Sequence, residues 1–137
     1  MAAYSFSIGG VLLLCLMSIV LAVHSGSSKG RAGALSGPVL PADDNNLLYR
    51  IDRAHMNAVE ALTPFVIPAV LAMMVGVRPA VLATLVWVYT AIRLIHVAIY
   101  LRGGNAAKGG SVRTILYVAG AFVTVVLIVT TMVAAMA

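Results

Sequence analysis

The sequence predicts an all-α protein, a four-transmembrane-helix bundle forming a single integral membrane domain over residues 1–137. Three observations predict it. Hydrophobic residues make up 62% of the chain and charged residues only 9%, a balance foreign to soluble domains. Four apolar stretches are each long enough to cross a hydrocarbon core of about 30 Å. The segments between them carry Gly, Pro, Asp and Asn, which stop helices, and are too short to form a soluble domain.

The first span covers residues 4–23, enough at about 1.5 Å per residue to traverse the bilayer. No Lys or Arg stands in Met1 to Phe6, and no convincing small-residue cleavage site follows the run, so it reads as a span and not as a secretory signal. Cys15 lies in the middle of this run and reads as a small buried hydrophobe. His24 to Asn46 contains Gly26, Gly30, Gly33, Gly37, Pro38 and Pro41 and reads as a loop, whose first part can extend helix 1 into the interface.

Asp43, Asp44 and Asn45 supply N-cap candidates for a second helix over 46–75, which at about 45 Å exceeds a span and projects its first turns from the bilayer. Pro64 and Pro68 fall within it and should bend it, as membrane helices tolerate when neighbours satisfy the freed carbonyls. A short turn at Gly76 to Arg78 leads to Pro79, suited to the first turn of a helix over 79–101. The Gly-rich stretch Arg102 to Gly110 reads as a flexible loop, and the fourth helix covers 111–135.

The net charge is +5, from nine Lys and Arg against four Asp and Glu. These cations flank or enter membrane segments and form no soluble basic stripe, which argues against nucleic acid and for roles in topology and anion binding. Lys29, Arg31, Arg50 and Arg53 precede or open the second helix, and Arg102, Lys108 and Arg113 lie around the third connection, against Arg78 alone in the second. The positive-inside rule therefore places the first and third connections in the cytoplasm and both termini on the other side. The expected location is a multi-pass inner-membrane protein if bacterial, or the endoplasmic reticulum or similar if eukaryotic. His24, His55 and His96 are widely separated and no thiolate cluster accompanies them, so no metal site is expected.

Arg50, Arg53, Asn57 and Glu60 follow one another at intervals of three, four and three and share one helical face. Charged groups at the mouth of a span line sites or pair with one another. Because the turn after helix 2 is short, helices 2 and 3 are antiparallel neighbours, which matches Glu60 in depth with Arg93, Asn57 with His96 and Arg53 with Tyr100. An ion pair between Glu60 and Arg93 is expected. Arg113, Thr114 and Tyr117 enter from helix 4 on the same side. With that pair set aside, Arg50, Arg53 and Arg113 exceed the nearby acids, with Arg31 a further candidate. Such a site suits an anion carrying more than one carboxylate, held by arginine forks, and an opening to lipid should admit an apolar second molecule.

The run Arg53-Ala54-His55-Met56-Asn57-Ala58-Val59-Glu60 with Pro64-Phe65, the segment Arg93-Leu94-Ile95-His96-Val97-Ala98-Ile99-Tyr100, and Arg113-Thr114-Ile115-Leu116-Tyr117 resemble, in order, helices 2, 3 and 4 of the MAPEG family, the membrane-associated proteins in eicosanoid and glutathione metabolism. The likeness is to its microsomal glutathione transferase and prostaglandin E synthase branch. The resemblance implies a homotrimer of four-helix protomers with glutathione as thiol co-substrate between subunits. It places Arg53, Asn57, Glu60, His96 and Tyr100 on the peptide's polar groups. Arg113 and Thr114 then become the catalytic pair at the sulfur, and a small lipophilic electrophile the partner. Met56 and Ala121 depart from the synthase pattern, and a general conjugating or peroxide-reducing activity fits better than a dedicated synthase. The alternative is a non-catalytic scaffold or lipid-binding subunit of the same fold. On that reading Arg50 and Arg53 are snorkelling anchors, His96 is a packing residue, and Tyr100 and Tyr117 belong to an aromatic belt.

Overall fold

The computed structural model describes residues 2–34, 40–103 and 106–137, the side chains of the last stretch from 112 onward. Four α-helices follow a single 3₁₀ turn: α1 (Ser5–Arg31), α2 (Leu47–Met74), α3 (Pro79–Arg102) and α4 (Ala106–Met136). All four are long and apolar enough to cross a membrane, and the described residues contain no strand.

Helix α1 runs well beyond the apolar stretch that ends at Val23. Its polar extension is held to α2 by Asp52, whose carboxylate accepts from Ser25 Oγ at 3.0 Å and pairs with Lys29. The extension stops at a glycine in left-handed conformation: Gly33 has φ +66°, its N–H donates to Gly30 O, and Ala34 N donates to Lys29 O. That pair of bonds satisfies carbonyls the helix end would otherwise leave open. The expected loop over His24 to Asn46 is therefore helical in its first third, and its Gly37 and Pro38 lie outside the described residues.

Asn46 caps α2, its side-chain oxygen accepting from Leu48 N at 2.9 Å. Both prolines remain inside the helix. Pro64 deprives the Glu60 carbonyl of its donor, and Tyr89 of α3 donates its hydroxyl to the adjacent carbonyl, Ala61 O, at 2.8 Å. The Tyr89 ring stacks on Phe65 with centroids 3.7 Å apart. A second left-handed glycine, Gly76 at φ +78°, makes the α2–α3 turn, with Val77 N donating to Ala72 O. Pro79 then opens α3. Helix α4 begins before the expected start near Ser111; Gly104 and Asn105 of the expected flexible loop lie outside the described residues.

The core is built from Leu14 of α1, Phe65, Ala69 and Ala72 of α2, Leu82, Val86 and Tyr89 of α3, and Leu127 of α4. Small residues let the helices approach: a Cβ on Gly10 would run into Val86. Tyr4 and Trp87 bond to main-chain carbonyls of Val77 and Phe6, tying the start of α1 to the α2–α3 turn and to α3. Thr124, Thr130 and Thr131 return their hydroxyls to carbonyls of their own helix, as their place in apolar segments requires. The outer surface is apolar along whole helices, with Leu12, Leu16, Ile19 and Val23 on α1 and Val118, Phe122, Val125 and Val129 on α4 all exposed. Such a surface is stable against lipid and not against water.

Candidate functional site

At the end of the bundle where α2 begins and α3 finishes, Asn57, His96, Tyr100, Arg113, Thr114 and Tyr117 line one cavity of about 170 Å³. Three helices contribute, and all six residues were expected there from the sequence. Tyr117 also lines an adjoining, larger and mostly apolar cavity of about 240 Å³, with Glu60, Arg93, Ala61, Pro64, Gly120 and Thr124 among its walls. Gly120, Ala121 and Ala61 keep that space open because they have little or no side chain to fill it.

Arg113 is buried, and its guanidinium is fixed from two sides. Nη1 donates to Asp44 Oδ1 at 3.0 Å, and Cζ lies 4.4 Å from the centre of the Tyr100 ring. Its Nε has no hydrogen-bond partner among the described residues. Tyr100 meets His96 edge-on at 5.1 Å, and His96 is buried with Nδ1 unpartnered among the described residues. The cavity thus combines an arginine fork with donor capacity in reserve, an imidazole, two phenols and two smaller polar side chains. These groups suit a polar anionic ligand and can stabilise a thiolate.

Several expectations are corrected. Glu60 and Arg93 share a cavity but form no ion pair: Arg93 Nη2 donates instead to Asn57 O at 2.7 Å. The ion pairs among the described residues are Lys29–Asp52 and Arg113–Asp44, so Arg113 is not a cation in excess. Arg50 does not reach either cavity; its Nη1 donates to the carbonyls of Asp44 and Asn45 at 2.8 and 3.0 Å. Arg31 is exposed and lines a different groove, between the end of α1 and the start of α2, with Leu47, Leu48 and Ile51. Arg53 is half-buried, lines neither cavity, and has no hydrogen bond or ion pair among the described residues. The depth matching therefore brings Asn57 together with His96 and Glu60 with Arg93, but separates Arg53 from the Tyr100 cavity.

The residue that sequence reasoning missed is Asp44. It reads locally as a helix cap, and that is where the cap function was sought. Its longer-range signal is arithmetic: in a chain of nine cations and four acids, an acid beside the entry of α2 will be claimed by a buried cation on another helix.

Four membrane-crossing helices around a polar cavity at one end define an integral multi-pass membrane protein of the helical-bundle class. The particular family follows from the sequence as a whole. A match to the MAPEG family covers residues 2–133, and the chain belongs to that family. No curated protein and no solved structure matches it.

Proposed function

We propose that this protein is a membrane-bound glutathione transferase-like enzyme, activating the thiol of glutathione for conjugation to, or reduction of, a lipophilic electrophile. The observation that carries the reading is the environment of Arg113: a buried guanidinium whose Nε has no partner among the described residues, in a cavity walled by Asn57, His96, Tyr100, Thr114 and Tyr117. A free thiol has a pKa of about 8.5 and is mostly protonated at neutral pH. A fixed guanidinium beside the sulfur favours the thiolate, the nucleophilic form, and Thr114 stands next to it on α4. In conjugation the thiolate sulfur forms a bond to carbon; in a substitution the leaving group departs with the electron pair of the bond it breaks, and in an addition the electron pair displaced from the double bond is protonated. In reduction the thiolate attacks a hydroperoxide oxygen, the O–O bond breaks, and the peroxide leaves as an alcohol after taking a proton while the sulfur becomes a sulfenic acid; a second glutathione thiol then displaces water from that sulfur to form the disulfide.

Thr114 lines a second surface as well. With Ile115, Val118, Ala119 and Phe122 it borders an apolar groove of about 470 Å³ on the outside of α4. An electrophile dissolved in the bilayer can approach the sulfur along that groove without crossing water. Asn57, Glu60, Arg93, His96 and Tyr100 are assigned to the polar groups of glutathione; Arg53, which lines neither cavity, is assigned to them by the family's helix 2 pattern alone. Glu60 is an exposed carboxylate within a span and has no partner among the described residues. A homotrimer would cover it and would make Arg31 available to a neighbouring protomer's site. The excess of cations at this end of the bundle orients the site to the cytoplasm.

The test is to titrate glutathione into purified protein and follow thiolate absorbance, repeating with Arg113→Ala and Arg53→Ala. Loss of the signal in the first and weaker binding in the second are expected. A second reading, a non-catalytic scaffold, draws on the Arg113–Asp44 pair, which already partly neutralises the cation. Binding and thiolate formation indifferent to both substitutions would favour it.

A further inference from the structure

We infer that Arg50 is a positioning residue: it holds the turn before α2 so that the Asp44 carboxylate stays on the Arg113 guanidinium, and thereby sets how much positive charge the cavity presents to an anion. The inference rests on the proposed function for the identity of that anion. The placement of Asp44 is independent of it.

The turn is bonded from within and from outside. Asp43 Oδ1 accepts from Asn45 N at 2.9 Å and Asp43 O from Asn46 N at 3.0 Å, while Asn46 caps α2. From outside, Arg50 Nη1 reaches back one turn and donates to both Asp44 O and Asn45 O. The peptide units on either side of the Asn45 Cα are thus fixed by one cation, and Asp44 is left with its side chain 3.0 Å from Arg113. A partly exposed ion pair gains little when a mobile loop must be ordered to make it; a loop ordered beforehand removes that cost.

The end of α3 fits the same purpose. Gly103 has φ +68°, and a Cβ there would lie 2.8 Å from Arg50 Cζ and 3.0 Å from Nη2. Only glycine leaves room for the guanidinium at this point. Three elements, the first turn of α2, the turn at Asp43 to Asn46 and the end of α3, therefore meet at Arg50. Its Nε is buried without a partner among the described residues, so the guanidinium sits where packing and its two carbonyl bonds place it.

Arginine-selective dicarbonyl labelling of the full-length protein in detergent, read by mass spectrometry at Arg113, tests this without any ligand. Labelling is slow in the wild type and speeds up about three- to fivefold in Asp44→Asn, the scale of one partly exposed ion pair. Arg50→Ala raises it in the same direction and Arg50→Lys less so. Gly103→Ala, which displaces the guanidinium and removes no charge, also raises it. Arg50→Ala adds nothing on top of Asp44→Asn. Arg93, which is buried elsewhere in the bundle, stays unlabelled in a folded variant and so reports misfolding; if Arg50→Ala misfolds, Gly103→Ala decides. Wild-type labelling at Arg113 in Gly103→Ala and Arg50→Ala, or additive effects in the double variant, overturns the inference.

Glutathione titration then reads the consequence. The pH at which half the bound thiol is ionised falls in Asp44→Asn and in Arg50→Ala, because Arg113 loses its competing carboxylate. A midpoint that does not move while the labelling does would overturn the assigned effect on the site's charge. Absence of thiolate in every variant, wild type included, with labelling as expected, would remove the thiol reading and leave the placement of Asp44 standing.

Discussion

Arg93 donates to the main-chain carbonyl of Asn57 at 2.7 Å and not to the carboxylate of Glu60, although both side chains line the same cavity. A buried arginine needs an acceptor, and a helix carbonyl meets that need without placing a second charge in the low-dielectric interior. Glu60 is thereby free of a structural duty. Glu60→Gln is expected to leave unfolding stability within about 0.5 kcal/mol, as for an unpaired exposed charge, while weakening glutathione binding. Thermal unfolding and calorimetric titration on the same preparations check the two halves; a large loss of stability would mean that the carboxylate supports the fold after all.

Tyr89→Phe removes the hydroxyl bond to Ala61 O and keeps the ring stacked on Phe65. The expected loss is about 1 kcal/mol, the net worth of one partly buried hydrogen bond. Pro64→Ala returns a donor to the Glu60 carbonyl and not to Ala61 O, so the same substitution should cost as much in that background. Thermal shift in detergent for the four proteins of this cycle measures the coupling.

The polar extension of α1 hangs on Asp52, which binds Lys29 and Ser25 together. Asp52→Asn should increase amide exchange across residues 24–31 and leave the core of α3 protected, since a partly exposed pair contributes about 1 kcal/mol or less. Hydrogen exchange resolved by mass spectrometry distinguishes that local fraying from a global loss.

How much of this was legible in the sequence depends on the range of the interaction. The four spans, the Pro79 start, the α2–α3 hairpin and six cavity residues follow from apolar length and from periodicity, which are properties of single helices. The extension of α1 was legible only as an option, because Gly26 and Gly30 argue locally against helix and the bonds to Asp52 that hold the extension come from another helix. The Glu60–Arg93 pairing failed for a related reason: matching depth along two helices finds residues that share a layer, and does not rank a carbonyl against a carboxylate as acceptor. Arg50 shows the same limit. Helical spacing puts it on the face of Arg53 and Asn57, while the turn that it binds precedes that helix and competes for its guanidinium.

The apolar groove on α4 offers the sharpest separation between thiol activation and electrophile binding. Thr114 borders both the polar cavity and the groove, whereas Val118 and Phe122 border the groove alone and are exposed. A bulky side chain at Val118, as in Val118→Trp, fills space meant for the second substrate and touches no residue of the first. Kinetics with a lipophilic electrophile should therefore show a KM raised about tenfold, equal to some 1.4 kcal/mol of lost apolar contact, with glutathione affinity and thiolate absorbance as in the wild type. A thiolate signal that falls along with turnover would show instead that the groove and the polar cavity are one compartment. The electrophile's path would then have to run through the cavity of Glu60, Arg93 and Tyr117, between α2 and α4.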